Sequence, residues 1–485
     1  MSLTARPTLV PSPPSPSQAP SLRDATALAE LFVGVFRRDL LAFYPQGRFE
    51  PVLSGPIRLN THSGPDFQLI EAEDDPGGPL QVEIYGVRYR IAARNGARFT
   101  PQDLRMIRAI GAVQTLRYHH LFQLSHVSRM ELFRGGSEDH YVAAFVEPAA
   151  YAPSTSRPSR IASTIQTLRI TALSTYENRR VSTGALLLGS GEDPDHAPRP
   201  TPPDALPYGV ELTSLKSIHR LCDGKRTLFL VDREGRLSDI IDVENWAAKT
   251  SAPGAGEVPC ARAYTAHARA TRAGGHVCLV LSPNQEIKLF VAGAQAFAFA
   301  HGRWRVLDPA SKFAVWEVAV GTPKLARVLF ETALDLAECR QGGLLVVAAE
   351  PSEAIGRLIA PHDVLTAENP DRFLPCTPAA LTPGDPFAKC ALHYLSRGRS
   401  VTALAPSVLE ALAGLDGALV SDRAGRLIAF GAILRHDSAS LPGPVTVEGA
   451  RTTAALVASR FGPVLKISED GIISCFLNGA RVWDL

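Results

Sequence analysis

Asp232-Arg233-Glu234-Gly235-Arg236-Leu237 returns downstream as Asp422-Arg423-Ala424-Gly425-Arg426-Leu427, with five of six residues identical. Both hexapeptides follow an Asp-Gly pair, Asp223-Gly224 and Asp416-Gly417, across a short apolar stretch that reads as a strand. A second match needs no gap. Ser282, Ile287, Phe290, Gly293 and Ala294 align with Ser468, Ile473, Phe476, Gly479 and Ala480, and Phe297 then falls on Trp483. The offsets, 190 and 186 residues, imply that about 210–306 is a diverged copy of the C-terminal strand–turn–helix–hairpin segment. A mixed sheet with helices, built twice, is then expected. A generic Asp-Arg-x-Gly-Arg-Leu hairpin turn recurring by chance is the other reading.

The C-terminal copy carries residues suited to phosphate chemistry. Asp416 stands in a tight turn between the helix-like 407–415 and the apolar strand 418–420, where a carboxylate can hold a divalent ion or orient a ribose hydroxyl. Gly417 has no side chain to keep a nucleotide from the backbone. Gly449 and Ala450 precede a helix over 451–460. Amides at its start, with the Arg451 guanidinium and the Thr452 and Thr453 hydroxyls, would cradle a phosphate. Ser468-Glu469-Asp470-Gly471 forms an acidic turn between strands 464–467 and 472–476. Each element also has an ordinary reading: a turn dipeptide, a capped helix, a hairpin loop.

Asp416-Gly417-Ala418, then Gly449-Ala450-Arg451-Thr452-Thr453-Ala454-Ala455, then Ser468-Glu469-Asp470-Gly471 resembles the diadenylate cyclase domain family over about 325–485. The resemblance implies an α/β (α+β) fold with a mixed sheet flanked by helices. It also implies condensation of two ATP molecules into cyclic di-AMP with Mg²⁺ or Mn²⁺. By the same resemblance Asp416, Gly417 and Ala418 are catalytic, and Gly449, Arg451, Thr452, Thr453, Ser468 and Glu469 bind the nucleotide. Asp416 and Asp470 would hold the metal. The family has Gly-Thr-Arg-His-Arg-Ala-Ala where this chain has Gly449 to Ala455, so its His and second Arg have become Thr452 and Thr453. Threonine donates a hydrogen bond but brings no charge. One such pocket holds one ATP, so two C-terminal domains must self-associate to make a symmetric product.

The first copy lacks this equipment. Lys225 replaces Ala418, Pro283-Asn284-Gln285 replaces the acidic turn, and only Arg262 lies near the place of Arg451. Its buried anchors should include Leu228, Leu230, Ile240, Leu279, Phe290 and Phe297, and its role should be regulatory.

At 485 residues, several domains are expected. The punctuation suggests a Pro/Ser-rich tail (1–21), an N-terminal α+β region that senses an unknown signal (22–150), a second region containing the repeat (160–318), and the nucleotide domain (319–485). Helices are expected at 22–40, 101–122, 163–173 and 322–340, and strands at 81–93, 141–146, 183–188 and 343–349. A net charge of +2 does not indicate nucleic acid or an anionic membrane as partner. Seven scattered cysteines without metal spacing fit reduced thiols, hence a cytoplasmic setting, and no stretch reads as a membrane span. His119, His120 and His126 read as packing or surface residues, and Glu177-Asn178-Arg179-Arg180 as a solvated turn. Three function classes follow: an active cyclase, a nucleotide-binding sensor without catalysis, and a scaffold.

Overall fold

The computed structural model of this chain describes residues 22–485 except 46, 53–66, 71–79, 94–98, 123–129, 153–157, 192–200, 203, 215–217, 250–256, 361–362, 366–397 and 436–448. The expected tail, His126, Cys376, Cys390 and most of the Pro-rich stretch near 193–207 lie outside the described residues. The fold is mixed α/β, and the chain divides into two units, Met1–Ala162 and Ser163–Leu485.

In the first unit, helix α1 (Leu22–Phe43) buries Ala29, Phe32, Phe36 and Leu40, the three-to-four spacing of one helical face. Strands β1 (Arg48–Pro51), β2 (Phe67–Ile70), β3 (Leu80–Ile84) and β4 (Val87–Ala92) form an antiparallel sheet in the order β1-β4-β3-β2. Helix α2 (Pro101–Phe122) starts at a reciprocal cap. The Asp103 amide donates to the Thr100 hydroxyl at 3.2 Å, and the Thr100 amide to the Asp103 carboxylate at 2.7 Å. The stretch 141–146 is not the expected strand but the end of helix α3 (Ser137–Val146). Asp139 through Phe145 are all buried, so the apolar run carries no helical period. Its start signal was local: the Asp139 carboxylate accepts the Gly136 amide at 3.2 Å.

The second unit holds two larger sheets. Helix α4 (Arg160–Ala172) leads through a small hairpin, β5 (Thr175–Tyr176) and β6 (Arg179–Arg180), into β7 (Thr183–Leu187). Glu177 and Asn178 take positive φ at the hairpin tip, and Arg179 and Arg180 are exposed. Helix α5 (Ile218–Leu221), strands β8 (Thr227–Val231) and β9 (Leu237–Asp242), helices α6 (Val243–Lys249) and α7 (Thr265–Ala270), and strands β10 (Val277–Leu281), β11 (Ile287–Val291), β12 (Ala294–Ala300) and β13 (Arg303–Val306) follow. Then come α8 (Pro309–Val320), α9 (Pro323–Glu338), β14 (Gly343–Ala348), α10 (Pro351–Arg357), α11 (Pro406–Ala413), β15 (Ala418–Asp422), β16 (Leu427–Ala432), α12 (Ala450–Ala458), β17 (Val464–Ile467), β18 (Ile473–Leu477) and β19 (Ala480–Asp484).

The first sheet runs β13-β12-β11-β10-β7-β8-β9 and the second β19-β18-β17-β14-β15-β16. Apart from β13 the orders correspond strand for strand. In each, the central pair (β7 with β8, β14 with β15) is parallel and every other pair antiparallel. Register breaks coincide at two places, and β15–β16 has one more, between Ala418 and Val420, with no counterpart in β8–β9. β8–β9 slips between Leu230 and Val231 and β15–β16 between Val420 and Ser421; β11–β12 slips between Leu289 and Phe290 and β18–β19 between Cys475 and Phe476.

β14, all six residues buried, reads as an unbroken apolar run because the sheet is covered on both faces. Leu345 and Val347 pack toward the cluster containing Leu325, Leu329, Phe330 and Leu336 of α9, and Leu344 and Val346 toward that containing Ala455, Val457 and Ala458 of α12. In the first sheet Leu228, Leu230, Leu279, Phe290 and Phe297 are buried as expected, but Ile240 is 42% exposed because β9 is the edge strand.

Candidate functional site

Sheet topology gathers the C-terminal motifs at one edge. Because β14 and β15 are parallel, Gly342 and the Asp416-Gly417 turn precede neighbouring strands on the same side. β17 runs the other way, with Ile467 opposite Gly343, so the turn 468–472 emerges there as well. The Arg451 guanidinium, in the first turn of α12, lies between them. It pairs with Asp416 at 3.4 Å and with Glu469 at 3.2 Å. The Asp416 side chain is 97% exposed, Glu469 73% and Arg451 39%. Exposed pairs of this kind hold roughly 0–1 kcal/mol, so an incoming phosphate can displace either carboxylate from Arg451 at little cost. Gly342 forms the floor, where a Cβ would collide with the guanidinium.

The other sequence candidates are placed differently. Gly417 has φ +109°, and a Cβ there would sit 2.7 Å from the Ala432 carbonyl oxygen. Its missing side chain therefore accommodates β16, which corrects the expectation that it clears room for a nucleotide. Ala418 is fully buried in the sheet core, so its side chain does not reach the surface of the site. Thr452 is buried, and its hydroxyl accepts the Lys466 ammonium at 3.0 Å. Thr453 donates to the Gly449 carbonyl at 3.4 Å. The amides of Thr452 and Thr453 are bonded to that same carbonyl, so the N-terminal amides left for a ligand are those of Ala450 and Arg451. Ser468 closes its own turn: its hydroxyl accepts the Ile472 amide at 3.2 Å. The Asp470 side chain is exposed, and its backbone carbonyl accepts a bond from Arg340.

Three contributors escaped the sequence reading. Gly342, just before β14, seats Arg451. Lys466 holds Thr452, and Arg340, at φ +56° after α9, grips the acidic turn. The alternation along β17 offered a hint for Lys466, whose neighbours Leu465 and Ile467 face the core on the other side.

The equivalent corner of the first sheet is closed. Asp223 accepts the amides of Lys225, Arg226 and Thr227 at 2.8, 2.7 and 3.2 Å and pairs with the Arg226 guanidinium at 3.0 Å. Burial alone would raise its pKa, but these bonds pull it down to about 2. Arg262 is also taken. Its amide and guanidinium bind the buried Asp335 carboxylate of α9 at 2.7 and 2.8 Å, and a further nitrogen pairs with Glu410 of α11. The Tyr264 hydroxyl donates to Glu338 at 3.0 Å. Carboxylates of the second sheet's helices thus occupy the cationic groups of the first.

Among the described residues no three His, Cys, Asp or Glu side chains gather as a metal-holding group. Magnesium asks for less, since one or two carboxylates and the phosphates of a substrate suffice, and exposed Asp416 fits that role. No family model and no curated protein matches the sequence. A crystal structure of a hypothetical membrane spanning protein from Bacillus cereus is similar over 35% of this chain and 69% of its own, at 19% identity and a TM-score of 0.23. That likeness is too slight to fix a fold. No helix among the described residues is long and apolar enough to cross a membrane.

Proposed function

We propose that the edge formed by Gly342, Asp416, Arg451 and Glu469 binds the triphosphate of ATP, and that the domain condenses two ATP molecules into cyclic di-AMP. The observation that supports this reading is the convergence of three motifs distant in sequence on one guanidinium, with Asp416 at 3.4 Å and Glu469 at 3.2 Å. In the reaction a ribose hydroxyl oxygen attacks the α-phosphorus of the facing nucleotide, and pyrophosphate leaves. Arg451 would neutralise phosphate charge, and the Ala450 and Arg451 amides would add donors. Asp416 would hold Mg²⁺ or Mn²⁺, which supplies further charge neutralisation when bound. Two C-terminal domains would have to face each other, so the rate per protomer should rise with protein concentration.

A second reading, a nucleotide-binding sensor without catalysis, is favoured by one feature. The Thr452 hydroxyl is held by Lys466 inside the domain, and among the described residues of the helix start only Arg451 brings a positive charge to phosphate. Incubating pure protein with ATP and Mg²⁺ or Mn²⁺ and weighing the products separates the two. Cyclic di-AMP that disappears in Asp416→Asn supports the cyclase. ATP binding without product, weakened about tenfold or more in Arg451→Ala, supports the sensor. ATP binding unchanged in Arg451→Ala would remove both.

A further inference from the structure

A second charged group lies between the two sheets, away from Arg451. Lys288 on β11 pairs with Glu286 at 3.2 Å and with Glu338, at the end of α9, at 2.6 Å. Arg340 pairs with Glu286 as well, and its other nitrogen donates to the Asp470 carbonyl. Lys288 and Glu286 are buried, and together with Glu338, Arg340 and Arg305 they line a cavity of about 70 Å³ that also touches Gly471. Each carboxylate there already has two donors: Glu286 has Lys288 and Arg340, and Glu338 has Lys288 and Tyr264.

Arg305 differs. It is half-buried on β13, where its backbone pairs with Ala298, and its side chain makes no hydrogen bond or ion pair with another described residue. With the Glu286 and Glu338 carboxylates already taken, the five-donor fork of Arg305 is left without a carboxylate side chain of the cavity lining to answer it. Asp484 acts on Arg305 from further away, but it is already paired with Arg481 at 2.8 Å. Burial lowers the pKa of Arg305; Glu286 pulls it back up and Arg340 pushes it down again. A guanidinium so placed is costly to leave unpaired. The cavity has space for on the order of five water-sized groups, enough for one tetrahedral oxyanion.

We propose that this cavity binds a small free oxyanion, of phosphate or sulfate size, through Arg305 with Lys288 and Arg340 alongside. The anion would join β13 of the first sheet to the α9 terminus, and through Arg340 to the turn carrying Glu469 and Asp470. This site is independent of the nucleotide reading, and its test uses no nucleotide turnover. The full chain is titrated calorimetrically with inorganic phosphate against chloride at constant ionic strength. Arg451→Ala, which removes any phosphate held at the nucleotide edge, should still bind one phosphate per chain, and Arg305→Met should weaken that binding about tenfold or more. Arg305→Lys, which keeps the charge but not the fork, should weaken it less and serves if the methionine variant does not fold. Absence of phosphate binding, or binding lost in Arg451→Ala and retained in Arg305→Met, overturns the proposal. AMP competing with phosphate at Arg305 would overturn its restriction to a free anion.

Discussion

Asp223 and Asp416 open equivalent strands of two sheets with the same order, and their carboxylates meet different surroundings. Asp223 turns back onto three amides of its own loop, whereas Asp416 stands in solvent with Arg451 beside it. The sheet end is thus the same scaffold with two local chemistries: one self-satisfied and closed, one open. At the first sheet the cations that would meet a ligand meet Asp335, Glu338 and Glu410 instead. A site can be silenced without touching strand order, because order rests on apolar runs and turns while ligand capacity rests on a few polar side chains at the edge.

The largest test of this comparison concerns what both sheets need. Gly224 has φ +74° and would place a Cβ 2.6 Å from the Thr183 carbonyl oxygen; Gly417 has φ +109° and meets Ala432. Gly224→Ala and Gly417→Ala should each destabilise by about 3 kcal/mol or more, from the left-handed backbone and the collision together. Denaturant unfolding measures it. Unchanged stability in Gly417→Ala with loss of ATP binding would mean that this glycine serves the ligand after all.

A difference in the cores comes next. His267 of α7 is fully buried, with its Nε2 at 2.9 Å from the Gly224 carbonyl oxygen. At the matching place in the second sheet's helix stands Ala455. Burial holds the His267 pKa down at about 4, although its backbone bond and Asp223 pull upward. The folded state therefore binds the proton less readily than the unfolded chain, whose histidine titrates near 6.5. The contribution is fully present above pH 6.5 and is lost as pH falls toward 4, by roughly 3 kcal/mol. His267→Gln, which can keep a donor toward Gly224, should flatten that part of the stability profile. An identical slope in the variant would assign the acid loss to other groups.

Much of this architecture could be read from residues. The Asp-Arg-x-Gly-Arg-Leu hexapeptides are hairpin turns of one geometry: Asp232 and Asp422 each accept the amide of Arg236 or Arg426, at 2.7 and 2.8 Å, around a positive-φ glycine. Turn residues are local and survive divergence. The legible repeat began near 210, however, while the shared order begins at α4 and β7. Thr183-Gly184-Ala185-Leu186-Leu187 and Gly343-Leu344-Leu345-Val346-Val347 share only apolarity, which any buried strand has. At the site, Asp416, Arg451 and Glu469 were legible because charge at an edge leaves a sequence mark. The inward turn of Thr452 was not, since a threonine in a first helical turn looks alike whichever way it faces.

A smaller, symmetrical effect is expected where helix meets hairpin. The Thr271 hydroxyl accepts the Gly293 amide at 3.1 Å and donates to Ala268; the Ser459 hydroxyl accepts the Gly479 amide at 2.8 Å and donates to Leu456. Both side chains are buried, so Thr271→Val and Ser459→Ala should each cost about 1–2 kcal/mol by leaving an amide unpaired. Costs differing by more than about 1 kcal/mol would mean the two hairpins are not mechanically equivalent.

The smallest stability change is the one that separates the two corners. Removing the Asp223 carboxylate leaves three amides to the solvent and frees Arg226, so Asp223→Ala should lower stability by about 1 kcal/mol. Part of that loss is recovered from water, because the side chain is 36% exposed. Asp416→Ala breaks one exposed 3.4 Å contact and should leave stability within about 0.5 kcal/mol of the parent. Under the proposed reading the same variant should weaken binding of ATP with Mg²⁺, since no backbone amide there substitutes for a metal-holding carboxylate. Chemical denaturation paired with ATP titration reads both quantities on one sample. A marked loss of stability in Asp416→Ala with nucleotide binding intact would place Asp416 beside Asp223 as a loop-closing residue, and the difference between the two corners would vanish.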